Sequence, residues 1–160
     1  MDITTILITV LFLALFLLPF FYSRSKRLGR NKALVNALQS LAASSGYTLS
    51  RYDTWVDSAI GLDADRRGLA FVRLEDGQVA ESYTVNLRDM ADCSVQNSAH
   101  ESSGADKKKV VDKLLLRLSP RNANAAPVLI PFYEASRTFV LLNELQLAEA
   151  WSRLIKEKLK

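Results

Sequence analysis

The chain holds one histidine and one cysteine, and these bound the chemistry open to it. His100 is the sole general base of its type and sits between Ser98 and Glu101, with Ser102 and Ser103 behind it. A serine–histidine–acid triad needs a rigid frame and an oxyanion hole. A polar stretch rich in serine offers neither, so we expect no catalysis there. Cys93 reads as a strand residue and has no second cysteine for a disulfide within the chain, in keeping with a reducing compartment. One cysteine and one histidine do not make a zinc site of the usual kind. Asp63 and Asp65 stand in a turn, but the calcium-loop spacing of an EF-hand is absent. They read as acids that cap backbone amides. Neither a P-loop nor a dinucleotide-binding fingerprint occurs. The expectation is a protein that is not an enzyme, with no catalytic, metal or cofactor-binding residue and no cofactor.

The remaining residues with a chemical bias are cations. Arg24, Lys26, Arg27, Arg30 and Lys32 lie within ten residues and without an acid among them. From Ala33 onward sixteen Lys or Arg balance sixteen Asp or Glu, so the net charge of +4 is the five flanking cations less Asp2. The basic character belongs to this flank and gives no sign of a nucleic-acid face. Clustered cations beside a bilayer attract anionic lipid by about 1 kcal/mol each. These five are the expected headgroup contacts, and fixing topology alone is the equal alternative. Lys107, Lys108 and Lys109 form a second, weaker candidate contact, partly offset by Asp106 and Asp112.

What would position the flank is the run before it. Residues 3–22 carry no charge, and about 20 apolar residues in a helix span a hydrocarbon core. A cleaved signal peptide would have a basic start and small residues at its end. This run begins with Met1-Asp2 and closes on Pro19-Phe20-Phe21-Tyr22, with the cations following. We therefore expect a single-pass anchor over 1–22 and a basic juxtamembrane segment over 23–32. The N-terminus is then outside and the remainder cytoplasmic.

Residues 33–46 read as a linker helix. Ala33, Leu34, Ala37, Leu38 and Leu41 make one apolar stripe, Asn31 is placed to cap it and Gly46 to end it. A helix this short must dock its stripe on something, most simply the domain that follows. Strands are expected over 55–62, 69–74, 79–87, 90–96, 110–118 and 128–133. Gly68 and Asp76-Gly77 supply turns, Gly68 by its freedom to take positive φ. Residues 97–109 read as a mobile loop. Pro131 suggests an edge strand. From residue 142 to 159 the pattern turns helical, with Leu145, Ala148, Trp151, Leu154 and Ile155 on one face.

Strands followed by one amphipathic helix give an α+β order. The stretch Ala59-Ile60-Gly61-Leu62-Asp63 through Leu69-Ala70-Phe71-Val72-Arg73, the strand Lys113–Leu118, a loop ending at Pro127, the strand Val128–Phe132 and a last helix containing Ala150-Trp151 carry a resemblance. Together they resemble bacterial pleckstrin-homology-like (PH-like) proteins, and the whole layout resembles uncharacterised single-pass bacterial inner-membrane proteins with such a cytoplasmic domain. The resemblance implies a small, strongly bent antiparallel sheet or partial barrel of six to seven strands over 55–160, capped by the C-terminal helix. It implies a scaffold that binds a partner, most simply a protein. Phosphoinositide-binding members use basic residues in the first hairpin loop. Here Arg66 and Arg67 are accompanied by Asp63 and Asp65, and that function is not carried over. The leading expectation is a non-enzymatic, membrane-tethered binding scaffold, and the alternative is a reader of anionic lipid surfaces through the basic flank.

Overall fold

The computed structural model of the protein describes residues 29–101, 109–137 and 143–159. Among these residues two helices and seven strands form an α+β fold. Helix α1 covers residues 29–44. Strands β1 (Arg51–Trp55), β2 (Ser58–Asp63), β3 (Gly68–Glu75) and β4 (Gln78–Asn86) follow as an antiparallel meander. A single 3-10 turn, Leu87–Asp89, leads to β5 (Met90–Glu101), β6 (Lys109–Pro120) and β7 (Val128–Glu134), a second antiparallel meander. Helix α2, Glu144–Leu159, closes the described chain.

The strands therefore form two sheets, of four and three strands, and neither closes into a barrel. This corrects the expectation of one bent sheet. The break lies at the 3-10 turn, where the Asn86 side chain accepts the amide of Arg88 and so caps the turn. Arg121 fastens this corner, its Nε donating to the Arg88 carbonyl at 3.0 Å and its Nη2 to the Leu159 carbonyl at 3.3 Å. A cation at the end of α2 also suits the negative end of the helix dipole.

Strand alternation makes two cores. On one side of the first sheet, Ile60, Leu62, Leu69 and Phe71 meet Leu114, Leu116, Leu118 and Ile130 of the second, with Ala148, Trp151 and Ile155 of α2. On the other side, Ala59, Ala70, Val72 and Leu74 receive Leu34, Leu38 and Ala42 of α1. Both faces of β2 and β3 are thus covered, which is why these strands read as nearly continuous apolar runs. The small residues under α1 permit its close approach. A Cβ on Gly61 would come within 3.1 Å of Leu38 and 2.7 Å of Leu49.

Several sequence expectations change in detail. The run expected as one strand from Trp55 is a hairpin whose two turn residues are Val56 and Asp57. Val56 takes a φ of +42°, an unusual conformation for a β-branched residue. In the Asp63–Gly68 turn the positive φ, +55°, falls on Arg67. Gly68 is needed for space instead: a Cβ there would lie 2.3 Å from the Tyr47 ring. Asp76 and Gly77 both take positive φ, as an Asp-Gly hairpin turn requires. Strand β5 runs on to Glu101, through part of the stretch expected as a loop, pairing with β6 down to Lys109. Pro131 lies on the edge strand β7, beside a register shift.

The direction of α1 follows from its ends. Its C-terminal side meets the Asp63–Gly68 turn: the Arg66 guanidinium donates to the Gly46 carbonyl, and the Thr48 amide donates to Asp63 Oδ2 at 2.7 Å. Its N-terminal side lies with the β1–β2 turn, since Arg30 and Val56 line one cleft. Among the described residues no helix is long and apolar enough to cross a membrane. The expected anchor, residues 3–22, lies outside the described residues.

Asp63 is the hinge-pin of that turn. Its carboxylate also accepts the amides of Asp65 and Arg66 at 3.0 and 2.9 Å. The Arg66 and Thr48 amides hold its pKa below the ordinary carboxylate value despite burial. A lowered folded-state pKa stabilises the fold above the unfolded-state value and ceases to do so as pH falls through the folded one. Asp63→Ala is expected to cost about 1–3 kcal/mol at neutral pH. In urea titrations the gap between variant and parent should shrink as the pH is lowered through the carboxylate range. A gap independent of pH would remove the charge from this account.

Candidate functional site

Of the residues singled out for chemistry, Cys93, Ser98, His100 and Glu101 all lie along β5, and Ser102 and Ser103 lie outside the described residues. His100 sits in β5 opposite Val110, and Ser98 opposite Lys113. Cys93 is fully buried beneath α2, where Ser152 Oγ donates to its carbonyl at 3.2 Å. Burial pushes the thiol up to about 11, so at neutral pH it is a protonated, enclosed group with little reactivity. Among the described residues no group of His, Cys, Asp and Glu is placed to hold a metal ion. Of the expected lipid contacts, Arg30 and Lys32 stand exposed at the start of α1. Arg24, Lys26, Arg27, Lys107 and Lys108 lie outside the described residues. Lys109 begins β6, paired with Glu101 in the ladder.

Two concavities open near the β1–β2 turn. The smaller, about 30 Å³, is lined by Trp55, Asp57, Arg73, Phe132, Glu134 and Glu144 among others. That is room for water and not for a metabolite. Arg73 is only 7% exposed; its Nη2 meets Glu81 at 2.6 Å, while its Nε has no partner among the described residues. A space of this size beside a buried donor is one that a single water fills. Glu134 lies between Lys113 at 2.9 Å and Arg137 at 3.3 Å. The Lys113 hydrogen bond, opposed by burial, holds its carboxyl below the ordinary range. Trp55, stacked on Phe132 at 4.4 Å, forms the wall between the sheets. The larger cleft, about 530 Å³, lies between the start of α1 (Arg30, Asn31), the β1–β2 turn (Thr54, Trp55, Val56) and the start of α2 (Asn143, Glu144, Leu147).

The third feature is strand β4, at the edge of the first sheet. Seven of its nine residues are exposed, and only Glu81 and Val85 are covered. Tyr83 stacks on Phe71, with ring centroids 5.8 Å apart, so it faces the core side, yet remains 36% exposed. Partial burial and the adjacent Glu81 raise its pKa. Val79 should share that face by alternation. A register shift sets it opposite Leu74 instead, and it is 55% exposed. Edge strands are commonly protected by charge, proline or brevity. This strand has one charge, Glu81, which Arg73 neutralises, and it has no proline.

Sequence reasoning identified β4 as a strand but not as an exposed edge. Val56 was equally hidden, because a two-residue turn of Val-Asp carries no turn signature. No family model, curated protein or solved structure matches the chain.

Proposed function

We propose that the protein is a non-enzymatic, membrane-tethered binding scaffold. In this reading residues 3–22 anchor it in a bacterial inner membrane, and a PH-like domain over 55–160 meets a protein partner at the cytoplasmic face. A four-strand meander, a three-strand meander and a closing helix, in that order, support the PH-like assignment. The observation that carries the binding role is β4. It is a nine-residue edge strand with exposed Val79 and Tyr83, and its one charge is already neutralised. Such an edge is suited to strand addition, in which the partner's backbone continues the ladder and side-chain contacts select it.

Photo-crosslinking from position 83 in native membranes tests this. A discrete adduct is expected, and Ser82→Lys with Thr84→Lys should abolish it without lowering stability, since both side chains are exposed. An adduct that persists in the lysine variant, or none at all, refutes the edge as the contact.

One observation favours a second reading, an anionic-lipid surface reader. Arg30 and Lys32 are exposed at the end of α1 that leads into the basic flank. Co-sedimentation of residues 23–160 with anionic vesicles, weakening steeply with salt, would select it.

A further inference from the structure

The end of the domain from which α1 emerges is also the end where two hairpins turn. The β1–β2 tip holds Val56 and Asp57, and the β3–β4 tip holds Asp76 and Gly77. The Leu74 amide donates to the Asp57 carbonyl at 2.8 Å and ties the two tips together. Arg30, the second residue of α1, lines the same cleft as Val56. Six residues, and so seven Cα steps, separate Tyr22, the last of the apolar run, from Gly29. Extended, they reach about 25 Å; coiled as a helix, about 10 Å. The anchor, if residues 3–22 are one, therefore holds this end of the domain next to the bilayer.

Val56 is the feature at this end that local structure does not explain. It is 42% exposed at a hairpin tip, and its φ of +42° is one that glycine or asparagine would adopt at less cost. A strained, exposed, branched apolar side chain adds nothing to either core. It is placed to be covered by something outside the described residues. The two tips themselves carry only acids, Asp57, Glu75 and Asp76, while the nearby cations are Arg30 across the cleft and Arg137, 3.8 Å from Glu75, so charge at the tips does not draw them to anionic lipid.

We infer that Val56 is a bilayer contact: the β1–β2 tip dips into the interfacial layer beside the anchor and fixes the orientation of the domain. The inference rests on the anchor reading of residues 3–22. The contact is apolar, so it holds on uncharged lipid and in high salt, unlike attraction through the basic flank. It turns the β3–β4 tip toward the bilayer as well, and the Asp63–Gly68 turn away from it.

The test uses the full-length chain in phosphatidylcholine vesicles. Position 56 is changed to cysteine and labelled with a polarity-sensitive fluorophore; buried Cys93 is left in place as an unreactive background. Leu129→Cys, at an equally exposed site on β7, is the reference. Lipids carrying a quencher at shallow depth should roughly halve the emission from position 56 and leave position 129 unchanged, as expected for a group within about 5–10 Å of the headgroup boundary. The result should persist in salt that shortens the screening length to about 3 Å. Quenching at position 56 no greater than at 129, in protein that floats with the vesicles, overturns the contact and leaves the anchor standing. Protein that does not float with the vesicles overturns the anchor reading itself. Quenching that appears only with anionic lipid and vanishes in salt overturns the apolar contact in favour of the basic flank.

Discussion

Trp151→Ala lowers the unfolding free energy by about 3–5 kcal/mol in urea titration. Trp151 heads the fully buried side chains by volume and stands at the centre of the core between the two sheets and α2. Its Nε1 donates to Asp53 Oδ2 at 3.0 Å, which ties α2 to β1, the far strand of the other sheet. The cavity dominates the loss. Asp53 is partly exposed and 3.9 Å from Arg51, so its carboxylate keeps water and a cation after the indole is gone. Trp151→Phe separates the two contributions, because it keeps most of the volume and gives up the hydrogen bond, for about 0.5–1.5 kcal/mol from the bond itself. Since small domains are stable by only about 5–15 kcal/mol, the alanine variant should be partly unfolded at physiological temperature. A loss below about 1 kcal/mol would mean that α2 is not integral to the core.

The second large effect is at α1. Leu34 and Leu38 are both fully buried, one turn apart, against Ala59, Ala70, Val72 and Leu74. Truncating either to alanine removes about 2–5 kcal/mol of packing. The two share one site, so the double variant should lose less than the sum. The way it fails is the sharper expectation. This core contains no residue of the second sheet or of α2, so α1 should open as a local unit. In hydrogen exchange, amides of 29–44 should lose protection in Leu34→Ala/Leu38→Ala while those of β5, β6 and β7 keep it. Uniform loss across the chain would show that the two cores melt together.

Particular residues show what could be read in advance. The stripe Leu34, Ala37, Leu38, Leu41 and the face Ala148, Trp151, Ile155 declared two helices, because helical periodicity records which side is covered. Leu114, Leu116 and Leu118 declared a half-buried strand in the same way, and all three are buried. Asp76-Gly77 declared its hairpin through backbone chemistry. The β1–β2 hairpin stayed hidden because Val56 adopts its conformation against its own preference, held there by pairing on either side. The division into two sheets depends on one capped turn at Asn86, a local event that periodicity does not register. Of the candidate site, the exposed face of β4 was illegible for a related reason. Whether a strand face is covered depends on how far the opposite layer reaches, and one register shift re-aimed Val79. The cations at Arg30 and Lys32 could be read directly, because charge density needs no tertiary information.

Helix α1 runs from the hairpin tips to the Asp63–Gly68 turn, and after Gly46 the chain reverses into β1. This gives the molecule a mechanical polarity. A pull on residue 29 directed along the helix axis loads the whole row Leu34, Leu38 and Ala42 at once, in shear. The same pull directed outward from the sheet lifts the first turn, then the next, as a zipper opens. The domain is therefore stiff to drag along one axis and yielding across it, and the reversal at Gly46 keeps the pull off β1 until α1 has let go.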